Sequence, residues 1–93
     1  MKYELMIILK PLLPEDIKSK IINKIEGLIK ENQGEIVSND VWGKKHLAYP
    51  IKKHDEGYYV LYEMQMPTDN VKEFDSELGL INGVLRFLRV KRD

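Results

Sequence analysis

The chain contains no cysteine, which excludes disulfides, thiolate zinc sites and thiol nucleophiles and fits a reducing compartment. It has no stretch approaching the roughly 20 apolar residues that a membrane-spanning helix needs. The opening MKYELMIILKPLL is superficially similar to a short secretory signal. Glu4 and Lys10 interrupt that apolar run, however, and no small-residue cleavage site follows. No Gly-rich phosphate loop is present. The two histidines, His46 and His54, have no nearby His or Cys to complete a metal site, so no metal or other cofactor is expected. Ser19, Ser38 and Ser76 lack an evident base or oxyanion setting, and Asp55-Glu56 reads as a solvated turn pair. These absences argue against an enzyme and against a small-molecule substrate. What remains is a soluble, cytoplasmic chain whose 93 residues read as one domain, 1–93, near the low end of the size that buries an adequate core alone.

The formal net charge is also zero, with 15 basic and 15 acidic residues, yet the charge is unevenly placed. Residues 44–54 hold four lysines and both histidines with no acid among them. Leu47, Tyr49, Pro50 and Ile51 run between those charges and favour an extended strand over a helix. A local basic strand on a neutral chain is a surface suited to phosphates.

Residues 2–10 alternate, with Tyr3, Leu5, Ile7 and Leu9 on one side and Lys2, Glu4, Met6 and Ile8 on the other. Both sides are apolar in the middle, which predicts a central strand that Pro11 ends. Pro14 suits the first turn of a helix, where Glu15 and Asp16 meet the positive end of its dipole. Ile17, Ile21, Ile25, Leu28 and Ile29 continue with helical period, Ile22 widens the stripe, and Gly34 reads as the stop. Residues 35–51 read as one long irregular strand, bulged or bent at Gly43. His54-Asp55-Glu56-Gly57 has turn chemistry, and a strand over 58–66 closes a hairpin. Thr68 is the expected N-cap of a second helix, with Val71, Phe74, Leu78 and Ile81 as its buried stripe. Asn82-Gly83 ends that helix, and 84–90 forms the last strand. The order β-α-β-β-α-β is an α+β, ferredoxin-like split βαβ fold. Two helices cover one face of a four-stranded antiparallel sheet, with the first and third strands central. This superfold hosts many functions, so it settles none.

The motifs then point to a family. Tyr3-Glu4 near the start, Trp42-Gly43-Lys44-Lys45-His46-Leu47-Ala48-Tyr49-Pro50-Ile51, Gly57-Tyr58-Tyr59 and Val84-Leu85-Arg86-Phe87-Leu88 stand in order and at matching spacing over essentially the whole chain. In these features the chain resembles the bacterial small-subunit ribosomal protein six family. The resemblance implies a structural protein without enzymatic activity, located in the ribosome. It implies binding to small-subunit (16S) ribosomal RNA together with ribosomal protein eighteen in the platform. Two departures matter. His46 stands where an arginine is usual, replacing a fixed charge with a titratable one. The chain also ends at Asp93, where many members continue into a tail, so tail-mediated partner contacts are not carried over.

Within that frame Lys44, Lys45, His46, Lys52 and Lys53 form one candidate RNA-binding group, and Arg86, Arg89, Lys91 and Arg92 a second. The eight lysines and arginines among them are over half of the chain's 15 basic residues, with Asp93 the only acid in either segment. The second and fourth strands are opposite edges, so the two groups are expected to flank the sheet separately. Lysines on exposed edges also deter aggregation, but phosphate contact is favoured. Lysine reads little sequence, so positioning contacts are expected. Arg86 suits a bidentate phosphate contact, its competitor being an ion pair with Glu4 or Glu63. Trp42, Leu47, Tyr49 and Ile51 are candidate partner-binding residues. The competing reading packs Leu47, Tyr49 and Ile51 against the helical layer, and for Trp42 packing is preferred. Tyr58, Tyr59 and Tyr62 do not make a stacking platform, because alternation divides them between two faces and the RNP1 pattern is missing. A neutral chain has little electrostatic affinity of its own, which favours binding beside a more basic protein. The alternative is a ferredoxin-like oligomeric module that binds a small ligand on the open sheet face and self-associates across Met6, Ile8 and Leu61.

Overall fold

Alternation in the first strand is realised in full. Tyr3, Leu5, Ile7 and Leu9 are buried, whereas Glu4, Met6 and Ile8 are only half-buried on the opposite side. The computed structural model describes residues 1–92; Asp93, counted above with the second basic group, lies outside them. The elements are β1 (Lys2–Leu9), α1 (Glu15–Glu31), β2 (Glu35–Ile51), β3 (His54–Gln65), α2 (Thr68–Gly79) and β4 (Val84–Arg92). The strands form one antiparallel sheet in the order β2-β3-β1-β4, so β1 and β3 are central, as their apolar faces require. Helices α1 and α2 cover one face. Ile21, Ile25, Leu28 and Ile29 from α1 and Val71, Phe74 and Leu78 from α2 meet Leu5, Ile7, Val60, Tyr62 and Met64 of the sheet. The expected packing of Tyr62 and Met64 beneath the helices is what the structure has.

The ends of the helices differ from the sequence reading. Pro14 is the N-cap of α1, one place before its first turn, and Pro67 takes the N-cap position of α2 that was expected of Thr68. Neither proline offers a side-chain cap, and each has the extended backbone that precedes a helix. At the far end of α1 the left-handed residue is Gln33 (φ 62°), not Gly34. The Gly34 N–H donates to the carbonyl of Ile29 at 2.8 Å and that of Gln33 to Lys30 at 3.0 Å, the paired bonds of a Schellman motif. Gly34 is needed for room: a Cβ there would lie 2.7 Å from Ile29 Cγ2 and 2.9 Å from Met66 Cε. Gln33→Gly is therefore expected to raise the urea midpoint by an equivalent of about 1 kcal/mol. Gly34→Ala is expected to lower it by about 1–3 kcal/mol through overpacking.

Asn32 is the one buried polar residue among those described. Its Nδ2 donates to the Leu28 carbonyl at 2.9 Å, and its own carbonyl accepts from Asn70 Nδ2 at 2.7 Å. It thus fastens the end of α1 to the start of α2. Tyr62 is buried with its hydroxyl donating to Glu26 Oε2 at 2.9 Å. Burial first, and then the hydrogen bond and negative charge of Glu26, push the Tyr62 hydroxyl far above its ordinary 10.0. The raised value means that the fold favours the protonated phenol. This stabilisation is complete below pH 10 and falls away as the pH rises beyond it. In an alkaline spectrophotometric titration Tyr62 is expected to ionise only as the chain unfolds, and Tyr62→Phe to remove that step.

The hairpin turn is shifted from its expected place. Lys52 (φ 50°) and Lys53 (φ 70°) form it, and β3 begins directly at His54, so His54-Asp55-Glu56-Gly57 is strand. Two consecutive left-handed residues between paired Ile51 and His54 are the backbone of a type I′ turn, which ordinarily carries Asn-Gly. Gly57 admits a close neighbour instead: a Cβ there would lie 2.4 Å from Ile8 Cγ2.

Candidate nucleic-acid interface

The sheet face away from the helices is built from cross-strand rows. One row is Glu35, Gln65, Lys2 and Arg92; the next is Ser38, Glu63, Glu4 and Val90. A third is Asp40, Leu61, Met6 and Leu88, and the fourth Gly43, Tyr59, Ile8 and Arg86. The centre of this face is therefore apolar and acidic. Leu88 is 61% exposed, and Glu4 stands directly opposite Glu63, a like-charged pair that repels. Positive charge is confined to the two ends.

At one end the hairpin does not continue flat. Ladder pairing breaks at Gly43 (φ 81°) and again between His46 and Ile51, leaving residues 47–50 facing only Asp55 on β3. This excess chain leaves the edge and lies over the fourth row. Leu47, Tyr49 and Ile51 share a groove of about 270 Å³ with Met6, Ile8 and Arg86. These side chains pack on the open face, not against the helical layer. The Tyr49 hydroxyl accepts a hydrogen bond from Arg86 Nη1, and the guanidinium lies 5.8 Å from the Tyr49 ring centroid. The two basic groups were expected to flank the sheet separately. Instead the hairpin crosses the face and joins Arg86 of β4, because residues 47–50 exceed what the ladder can pair.

The candidate RNA-binding residues separate accordingly. Lys44, Lys52 and Lys53 are exposed, and among the described residues none of them makes an ion pair. Lys45 extends over Trp42, 5.8 Å from the ring, and His46 stands 3.9 Å from Glu56. Arg89 turns to the helical side, where its guanidinium forks onto Asp75 of α2 at 2.7 to 3.2 Å and covers the Tyr3 ring. Hydrogen bonding to Asp75 pushes the already high Arg89 pKa higher, so this charge is permanent and internally matched. Arg92 reaches Glu4 at 3.6 Å, occupying the acid proposed for Arg86. Lys91 is exposed beside Arg92 at the other end of the sheet. Lys2 belongs with them, directly opposite Arg92, and only the strand register reveals it. Trp42, for which packing was preferred, is 45% exposed with its indole N–H donating to Asp40. No group of three or more His, Cys, Asp or Glu residues that could hold a metal occurs among the described residues. No helix among them is long and apolar enough to cross a membrane.

A family model described as Ribosomal protein S6 matches residues 2–91. The small ribosomal subunit protein bS6 of Caldanaerobacter subterraneus subsp. tengcongensis is 42% identical over 91 residues, covering 98% of this chain and 96% of that one. The bS6 of Fusobacterium nucleatum subsp. nucleatum is 34% identical over 92 residues, covering 99% and 98%. Among solved structures, the crystal structure of 30S ribosomal protein S6 from Thermotoga maritima has a TM-score of 0.90 and 26% identity, covering 98% of this chain and 86% of that one. The same ordering of strands and helices and these full-length matches agree, and the chain belongs to the ribosomal protein S6 family of the small ribosomal subunit.

Proposed function

We propose that the chain is a structural component of the small ribosomal subunit, working in the cytoplasm within the ribosome. In this role it holds 16S ribosomal RNA through its basic hairpin, beside ribosomal protein eighteen. The observation that carries the RNA contact is the group Lys44, Lys52 and Lys53, exposed around one hairpin end and without ion-pair partners among the described residues. Unmatched lysines of this kind neutralise phosphate and fix position without reading bases. Arg89 is not among the contacts, since Asp75 already matches its charge.

The protein partner fits the rest of the open face. Met6, Leu61 and Leu88 supply apolar area, and Asp40, Glu4 and Glu63 surround it with negative charge. Such a surface repels phosphate and complements a basic protein. The division explains how a neutral chain can serve RNA at all: the partner supplies charge that this chain lacks. Sedimentation of cell extract through a sucrose gradient at moderate salt tests the proposal. The chain is expected with the small subunit. Recovery only as a free oligomer would overturn the assignment and favour a ligand-binding module.

A further inference from the structure

We propose that Tyr49 is a positioning residue that makes the hairpin lysines and Arg86 into one phosphate-binding surface. The inference rests on the RNA-binding reading above and adds to it how the site is assembled. Strands β2 and β4 are the two edges of the sheet, separated by β3 and β1. Three strand spacings amount to roughly 14 Å, which exceeds the Debye length of about 8 Å at physiological salt. On a flat sheet the lysines and Arg86 would thus act on an RNA strand as separate, mutually screened charges. The crossing segment 47–50 spans that separation from the lysine-bearing strand to Arg86. Tyr49 lies in the stretch of β2 unpaired with β3, and its hydroxyl meets Arg86 of β4 above Tyr59 and Ile8.

The chemistry of the contact suits positioning. The Tyr49 hydroxyl accepts one N–H of the guanidinium, which has five to give and remains fully charged. Arg86 is therefore oriented, not neutralised. This distinguishes it from Arg89, whose fork is closed by a carboxylate. The nearby ring, its centroid 5.8 Å from the guanidinium carbon, adds a cation–π attraction that also leaves the charge intact. On the underside, Leu47 and Ile51 are half-buried in the groove with Ile8, which holds the segment down by its apolar side. His46 on the segment's near side faces Glu56, and among the described residues no acid pairs with Arg86.

The test uses the full chain and purified 16S ribosomal RNA, with binding measured over a salt series for Tyr49→Phe, Arg86→Gln, their combination, and Lys44→Ala/Lys45→Ala. Tyr49→Phe is expected to weaken binding about tenfold, as loss of a charge-assisted bond does. It is also expected to reduce the salt slope by about 0.7–0.9, although it removes no charge. The double variant should be no weaker than Arg86→Gln alone, and hydrogen exchange in residues 46–51 of free Tyr49→Phe should rise. An unchanged Tyr49→Phe alongside a weakened lysine variant would overturn the positioning role and leave the RNA reading standing. If the lysine variant is also unchanged, both fall. Loss of binding to ribosomal protein eighteen with RNA affinity intact would likewise overturn it, making this corner of the face a protein contact.

Discussion

Exchanging Lys44, Lys45, Lys52 and Lys53 together for alanine is expected to weaken binding to 16S ribosomal RNA by about 10²–10³-fold near physiological salt. Each lysine that neutralises a phosphate releases condensed counterions and contributes about 0.7–0.9 to the slope of log affinity against log salt. Four contacts therefore account for a slope of about 3, and the variant should bind with a correspondingly flatter dependence. Stability should move little, because all four side chains are exposed and surface changes of this kind usually stay within about 0.5 kcal/mol. The result to look for is loss of affinity and of slope with an unchanged urea midpoint. Equal slopes for variant and parent would show that these lysines do not touch phosphate, whatever the change in affinity.

A second large effect concerns the core. Phe74→Ala is expected to destabilise the fold by about 3–5 kcal/mol. The ring is fully buried on α2 within the cluster that joins the helical layer to the sheet. Domains of this size are stable by only about 5–15 kcal/mol, so the loss is a large fraction of the whole. Phe74→Leu fills part of the same space and should cost far less. Urea unfolding of the three proteins checks this, with the parent midpoint highest, then Leu, then Ala. Because Phe74 lies behind the sheet from the basic hairpin, the folded fraction of Phe74→Ala should still bind RNA with the parent salt slope. A change in that slope would mean that the two faces are coupled.

Much of this architecture is legible in the residues. The alternation of Tyr3, Leu5, Ile7 and Leu9 against Met6 and Ile8 fixes β1 as a central strand. The period of Ile21, Ile25, Leu28 and Ile29 fixes the buried side of α1. Both are patterns of hydrophobic spacing, which local sequence records directly. The turn at Lys52-Lys53 is hidden because turn chemistry favours Gly, Asn and Asp, and these stand nearby at Asp55 and Gly57. The stop of α1 is displaced by one residue for a related reason: Gly34 serves close approach to Ile29 and Met66, while Gln33 takes the left-handed position.

The site is less legible than the fold. Whether an arginine is available depends on tertiary partners: alternation sends Arg89 to the face opposite Arg86 and Arg92, but the spacing does not show which of the three meets an acid. Asp75 takes Arg89, Glu4 takes Arg92, and the neutral Tyr49 holds Arg86. The meeting of the hairpin with β4 depends on unpaired chain at 47–50, a register defect that only the sheet itself displays. The motif around Tyr49 singled out the segment but carried none of its geometry.

The apex at Lys52-Lys53 has one more consequence. Each left-handed lysine sits about 1–2 kcal/mol above its preferred backbone, so the apex is expected to open locally far more often than the strands that support it. On the RNA-binding reading proposed above, the charges offered to phosphate are carried by a turn that opens readily. Closing that turn and gripping the RNA would then be a single event, in which nucleic acid supplies some of the ordering that an Asn-Gly apex would have had from the start.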